Sequence, residues 1–223
     1  YSALGSLTTK VPTVRSVADS ILRLSPSLVI LSHYNRPELK EQLRRLKVVH
    51  FELPPPNALG EIPKQISKLS KLIEHGHKGS QLAQRMMTQI NAASKSSDNK
   101  KKKRQILIYG GEPTYPGKQT LLNEVINLAG AENALTHLNI IGWKTLSDEQ
   151  MIRLQPDIIV VPDHLGNKKK IIKQLRNSLT TKNWRAVKKE KIVVIPTHLL
   201  YSNSHHIMRT VAILQKEIYR YAP

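Results

Sequence analysis

The 223-residue sequence predicts an α/β protein made of two α/β lobes with mainly parallel sheets. Three observations predict it. Apolar runs too short for helices alternate with segments of 3.6-residue periodicity, the signature of parallel strands joined by crossover helices. A helix-to-strand phrase occurs twice, as SVADSILRLSPSLVIL at 16–31 and LSDEQMIRLQPDIIVV at 146–161. Asp19 and Glu149, like Pro26 and Pro156, stand 130 positions apart (149 − 19; 156 − 26). Between the copies runs one long helical segment followed by the charged stretch SSDNKKKKRQ, 96–105. Two similar lobes joined by a helix account for all three most economically, and a single continuous sheet is the alternative, which must accommodate the long helix-plus-linker excursion.

The elements follow in order. The first phrase gives a helix over 16–25, ended by Pro26, and the strand SLVILS, 27–32. A helix at 37–45 leads to the strand KVVHFEL, 47–53. Helices are expected at 60–74 and 79–96, with HGHKG breaking the chain and Gly79-Ser80 restarting it. QILIYG, 105–110, is the next strand, and a helix follows at 118–130. The second phrase supplies a helix over 147–154, with a Ser147–Gln150 capping box and a Leu146–Met151 hydrophobic staple. The strand PDIIVVP, 156–162, comes directly after it, then a helix at 168–177, the strand KIVVIPT at 191–197 and a final helix at 204–221. The boundaries expected from this pattern are a first lobe over 1–78, the linking helix and charged linker over 79–104, and a second lobe over 105–223.

Composition narrows the function. No apolar run reaches the length of a membrane span. Cysteine is absent, which excludes disulfides, thiolate metal sites and cysteine nucleophiles. Lys and Arg exceed Asp and Glu by 35 − 16 = +19, a balance that raises nucleic acid or an acidic membrane surface as partners. The lysines gather in the linker and in GNKKKIIKQLRNS and TKNWRAVKKEK, with no aromatic interleaving for base stacking, so a solvated basic surface is expected rather than a nucleic-acid groove.

In open α/β sheets, ligands bind beyond the carboxyl ends of the strands. Those ends read SHYNR, GGEPTYPGK, PDHLGN and PTHLLYSN, and opposed lobes would bring them together across a cleft. GGEPTYPGKQT superficially matches a phosphate-binding P-loop. Its glycines enclose five residues instead of four, Gln119 stands where a magnesium-holding hydroxyl belongs, and two prolines remove N–H donors. A P-loop-like nucleotide enzyme relying on Lys118 is therefore a remote alternative, and Tyr115 is expected at the tip of a ligand-contacting loop. His33, His164 and His198 each lie just past a strand, so a zinc or manganese site is a second alternative. His75 and His77 sit in the breaker, while His205 and His206 open the last helix. Asp19 and Glu149 each occupy a first helical turn, where the helix dipole favours an acid. That explains each residue alone, but not their matching positions in a repeated unit.

The segments SVADSILRLSPSLVILSHYN, GGEPTYPGKQTLLNEVINLAGAENAL and GWKTLSDEQMIRLQPDIIVVPD, with the tail WRAVKKEKIVVIPTHLLYSNSHHIMRTVAILQ, resemble the periplasmic substrate-binding proteins of ABC importers for cobalamin and ferric siderophores. The resemblance covers nearly the whole chain. It implies a non-enzymatic, monomeric binding protein without resident cofactor or dedicated metal, located in the periplasm or otherwise outside the cytoplasm. Such a protein captures a metal chelate such as cobalamin, a ferric siderophore or haem between its lobes. It then docks on a membrane permease dimer, with no nucleic-acid partner. In that family one acid per lobe pairs with permease arginines, and Asp19 and Glu149 fall on those positions. Matching cleft positions are His33, Tyr34 and Asn35 with the neighbouring Arg36, and Tyr115, Trp143 and His164. Family members begin with a strand and helix before the point where this sequence starts, so the first lobe is expected to lack its first βα unit, whether by truncation or natively.

Overall fold

The computed structural model describes residues 10–97, 103–110, 113–163, 166 and 168–221. Most of the charged linker, Gly111, Glu112 and His164 lie outside the described residues. The chain divides into two compact units, Ser2–Pro56 and Asn57–Pro223. The sequence pattern extends the first lobe to residue 78, whereas residues 57–78 group with the larger unit.

In the smaller unit the order is α1 (Ala18–Leu22), β1 (Val29–Ser32), α2 (Pro37–Arg45) and β2 (His50–Leu53). The strands pair in parallel, from Val29↔His50 to Ser32↔Leu53. Ala18, Val29, Leu31, Leu39 and Leu43 form its core. Helix α2 stops in a Schellman turn: Lys47 adopts a left-handed φ of 55°, and the Val48 N–H donates to the Leu43 carbonyl at 3.0 Å.

The larger unit opens with α3 (Glu61–Leu72) and the 22-residue α4 (Gly76–Ser97), about 33 Å long at 1.5 Å per residue. Then come β3 (Gln105–Ile108), β4 (Thr114–Pro116), α5 (Leu121–Leu128), β5 (Glu132–Asn133), a 3₁₀ turn at Thr136–Leu138 and β6 (Trp143–Thr145). The remainder is α6 (Asp148–Arg153), β7 (Ile158–Asp163), α7 (Lys168–Asn177), α8 (Arg185–Lys188), β8 (Ile192–Pro196), α9 (Thr197–Leu200) and α10 (Ile207–Arg220). Strands β5-β3-β7-β8 make one wholly parallel sheet. Its side chains alternate between two cores, as the two-residue strand period requires. Ile106, Ile108, Ile158, Val160, Val193 and Ile195 join one cluster, packed with α3, α4, α5 and α10 residues. Leu107, Ile159 and Val161 join the other, with Met151, Ile171, Leu175 and Trp184. Strands β1 and β7, the two copies of the repeated phrase, lie in different sheets.

One glycine has a different role from the one expected. The break between α3 and α4 falls at 73–75, where Glu74 takes a left-handed φ of 58° and the His75 N–H reaches the Ser70 carbonyl at 2.7 Å. Gly79 lies inside α4, and a Cβ there would collide with the Ser70 side chain of α3. It is the contact point of two crossing helices, not a breaker.

Candidate functional site

In the larger sheet the chain leaves β3 toward β5 on one side and returns to β7 on the other. The strand order therefore reverses between β3 and β7, and the crevice beyond their carboxyl ends is where an open α/β sheet takes a ligand. Gly110 follows β3, and a Cβ on it would lie 3.3 Å from the Tyr201 hydroxyl and 4.0 Å from Pro162 at the end of β7. Tyr201 follows α9, and its ring centroid is 6.5 Å from that of Trp143 on β6. Trp143 remains 50% exposed. The pair forms an aromatic surface at the mouth of the switch point, suited to the flat face of a conjugated ring. At the end of β7 and the start of α9, Asp163 Oδ1 and Thr197 Oγ1 are buried with no hydrogen-bond partner among the described residues. An unmet buried polar atom costs about 1–3 kcal/mol, so both positions favour a ligand or water that supplies the missing bond.

Tyr115 is not at a loop tip. It lies on β4, paired antiparallel with β6, and is only 5% exposed. Tyr109 packs beside it with ring centroids 6.2 Å apart, and the edge of Tyr109 meets Trp184 at 6.3 Å. Burial, chiefly, pushes the Tyr115 phenol well above its ordinary range and Tyr109 in the same direction, so both stay neutral. The P-loop reading fails on the same strand pairing. The Gly117 N–H donates to the Gly142 carbonyl and the Lys118 N–H to the Ile140 carbonyl, at 2.8 and 2.7 Å. Lys118 Nζ is bound to Asn139 Oδ1 at 2.8 Å. A Cβ on Gly117 would strike Ile140, so this glycine permits strand contact instead of cradling a phosphate.

On the smaller unit, Tyr34 is 80% exposed and meets the His33 ring edge-on at 6.0 Å. His33 Nδ1 lies 3.1 Å from Glu52, whose carboxyl is held below its usual range first by Lys40 at 2.7 Å and then by His33. Asn35 braces its own loop, because its Oδ1 accepts from the Ser32 N–H at 2.7 Å and its Nδ2 donates to Ser16 Oγ at 2.8 Å. Arg36 is exposed at the start of α2. The structure thus brings Trp143 to the switch point and leaves Tyr34, His33 and Arg36 on their own loop, while His164 is outside the described residues. Among the described residues no three His, Asp or Glu side chains gather as ion ligands.

Sequence reasoning missed Tyr109, Tyr201 and Asp163. The available signal was that Tyr109 sits near the end of the expected strand QILIYG, and that Asp163 and Tyr201 fall in loops already singled out. Asp19 and Glu149 are both exposed, each the second residue of its helix. Glu149 is engaged with Arg153 at 2.6 Å.

The fold is that of known binding proteins. The periplasmic heme-binding protein RhuT from Roseiflexus sp. RS-1, in apo form, superposes with a TM-score of 0.82 at 24% identity, over 92% of this chain and 80% of that one. The periplasmic heme-binding protein BhuT in complex with two hemes gives 0.82 at 18% identity, over 98% and 85%. At these identities the likeness establishes the α/β fold. In sequence, the vitamin B12-binding protein of Yersinia pestis (strain Pestoides F) is 27% identical over 145 residues, 64% of this chain and 51% of its own length. The ABC transporter substrate-binding lipoprotein YvrC of Bacillus subtilis (strain 168), itself uncharacterized, is 23% identical over 218 residues, 94% of this chain and 67% of its own. The chain spans about half the length of the vitamin B12-binding relatives it matches. A profile of the periplasmic binding proteins matches residues 7–199, and the chain belongs to the periplasmic binding protein family.

Proposed function

We propose that this protein is the substrate-binding component of an ABC import system, acting on the extracytoplasmic side of the membrane. It captures a metal chelate such as cobalamin, haem or a ferric siderophore and delivers it to a membrane permease dimer, with no covalent step. The observation that carries this reading is the family match across residues 7–199. The Trp143–Tyr201 surface at the sheet's switch point supports a flat, conjugated ligand, with Asp163 and Thr197 as polar contacts. In the smaller unit Tyr34 and Arg36 are exposed, an aromatic face and a cation able to meet a carboxylate. Docking falls to Asp19 and Glu149, one carboxylate per unit, each able to pair with an arginine of a two-fold permease.

The test is an absorbance and thermal-unfolding titration of the full-length protein against hemin, cyanocobalamin, ferric siderophores, zinc and manganese. A tight chelate at 100 times its Kd should add about 2.7 kcal/mol of stability. Trp143→Ala should weaken it by at least tenfold. Stabilisation by the bare ions alone, or by nothing in the panel, would end the chelate reading.

A further inference from the structure

The net charge of +19 is not spread evenly. Residues 168–191 hold ten Lys and Arg and a single acid, Glu190, a balance of 10 − 1 = +9. In the larger unit this segment forms two short helices, α7 and α8, and the loop that joins them. Helix α7 buries Ile171 and Leu175 in the core and leaves Lys169, Lys170 and Lys173 exposed. Helix α8 buries Ala186 and Val187 and leaves Arg185 and Lys188 exposed, with Lys189 next. The loop between them is tied down by Thr181 Oγ1 donating to the Leu175 carbonyl at 2.7 Å, and by Trp184, which is 0% exposed. Arg176 reaches Glu190 at 2.7 Å and joins the end of α7 to the turn after α8. The lone acid is thereby used within the surface, and the other cations are left without an acidic partner in the segment.

At the crest of the same loop Leu179 is 77% exposed. An anionic membrane interface has a use both for the lysines and for a protruding leucine. Lysines are attracted to the lipid phosphates, and an apolar side chain enters the acyl boundary. Nucleic acid is the poorer match, because the segment's one aromatic, Trp184, is buried and no ring is presented for stacking. Position adds a further argument. Trp184 Nε1 donates to the Met151 carbonyl at 2.8 Å, and the Arg185 N–H donates to Gln155 Oε1 at 3.2 Å. The start of α8 therefore packs against α6, which carries the proposed docking residue Glu149 and the 55% exposed Ile152.

We propose that the α7–α8 face of this protein rests on anionic lipid headgroups, with Leu179 entering the interface. Its placement beside the permease rests on the docking role of α6 given above, whereas lipid binding itself does not.

The experiment is co-sedimentation of the full-length protein with phosphatidylglycerol–phosphatidylcholine vesicles and with phosphatidylcholine vesicles alone, over a salt series. Binding is expected only to the mixed vesicles, and it should weaken as salt rises. Each of Lys169→Gln, Lys173→Gln and Lys188→Gln should lower the partition coefficient about fivefold, the equivalent of ~1 kcal/mol per charge. Leu179→Ser should lower it several-fold and leave the salt dependence unchanged. A control triple, Lys71→Gln, Lys78→Gln and Lys95→Gln, removes as much charge as those three lysine variants combined, but from α3 and α4, which pack on the opposite core. It should change partition less than twofold. Equal weakening by the control would reduce the effect to diffuse net charge and overturn the proposal. So would absent binding to mixed vesicles, or tighter binding to an oligonucleotide than to the vesicles. Vesicle binding without chelate binding would sink the ligand reading and leave this one standing; the converse would sink this one alone.

Discussion

The repeated phrase has been put to two structural uses, and the contrast separates what a sequence pattern determines from what its neighbours determine. In the second copy, β7 lies between β3 and β8, and Ile159, Val160 and Val161 are all 0% exposed. In the first, β1 has β2 as its only sheet neighbour among the described residues; Val29 and Leu31 are buried, but Ile30 is 47% exposed. Leu24 and Leu154, the matching residues at the ends of the helices, are 51% and 6% exposed. The same aliphatic run thus reads as a one-faced strand in one place and a two-faced strand in the other. Apolar content does not reveal whether one or both faces will be covered. The feature preserved in both copies is the exposed acid, Asp19 or Glu149, one residue into each helix.

The strongest way to break the comparison is at that shared feature. If the copies exist to present matching carboxylates to a two-fold partner, Asp19→Lys with Glu149→Lys should abolish uptake in cells while chelate affinity stays unchanged. Normal uptake by the double variant would remove the docking role. Asp19→Lys alone should be the milder single change, since the shorter aspartate reaches less far.

Next in size is an asymmetry in stability. Val160→Asp places a carboxylate between two apolar layers and should cost about 4 kcal/mol or more. Ile30→Asp, the matching change, meets solvent and should cost about 1 kcal/mol or less. Urea unfolding followed by far-UV circular dichroism measures both. Tryptophan fluorescence isolates the larger unit, because Trp143 and Trp184 both belong to it. Equal losses would mean that the first copy's outer face is covered after all.

The helix starts differ by about 1 kcal/mol. Ser147 caps α6 by accepting from the Gln150 N–H at 3.2 Å, and Gln150 Oε1 accepts from the Ser147 N–H at 3.0 Å. At the matching place α1 begins after Val17, which offers no side-chain cap. Ser147→Ala should therefore cost about 1 kcal/mol, and Val17→Ser should return a similar amount to the smaller unit. Urea midpoints for the two variants, moving in opposite directions, would bear this out.

Much of the architecture is legible because periodicity and caps are local. The strands at 29–32, 50–53, 105–108 and 192–196 fall inside their predicted runs, 158–163 overruns its run by one residue, and the Ser147 box and Leu146–Met151 staple are both present. The misses have one physical origin: contacts made at a distance in sequence. Strands β4 and β6 are three residues each, too short to show alternation, and they exist because Tyr115 finds Lys144 and Pro116 finds Trp143. Without that pairing PTYPG reads as a turn, which is why the sequence puts Tyr115 at a loop tip and not in the core. Gly79 reads as a breaker because the sequence does not display Ser70 against it. At the candidate site Trp143 is legible as an aromatic past a glycine, but Tyr201 becomes a candidate only once the fold sets it beside Trp143 and Gly110.

The smallest difference sharpens the comparison furthest, because it concerns the preserved acid itself. Each copy places an arginine four residues after its acid: Arg23 after Asp19, and Arg153 after Glu149. Only the second copy closes the pair, at 2.6 Å, with both side chains nearly three-quarters exposed. The Asp19 side chain has no ion-pair partner among the described residues. An exposed i,i+4 pair is worth about 0.3–0.5 kcal/mol and is screened by salt. Arg153→Ala should thus cost a few tenths of a kcal/mol at low salt and nothing measurable at high salt. Asp19→Glu lengthens the side chain toward Arg23 and should gain a similar amount in the first copy. Such a weak pair is easily exchanged for a permease arginine, so Arg153→Ala should leave uptake intact or raise it slightly. A drop in uptake to the level of Glu149→Lys would instead make Arg153 part of the docking surface, and the two copies would then differ in chemistry as well as in burial.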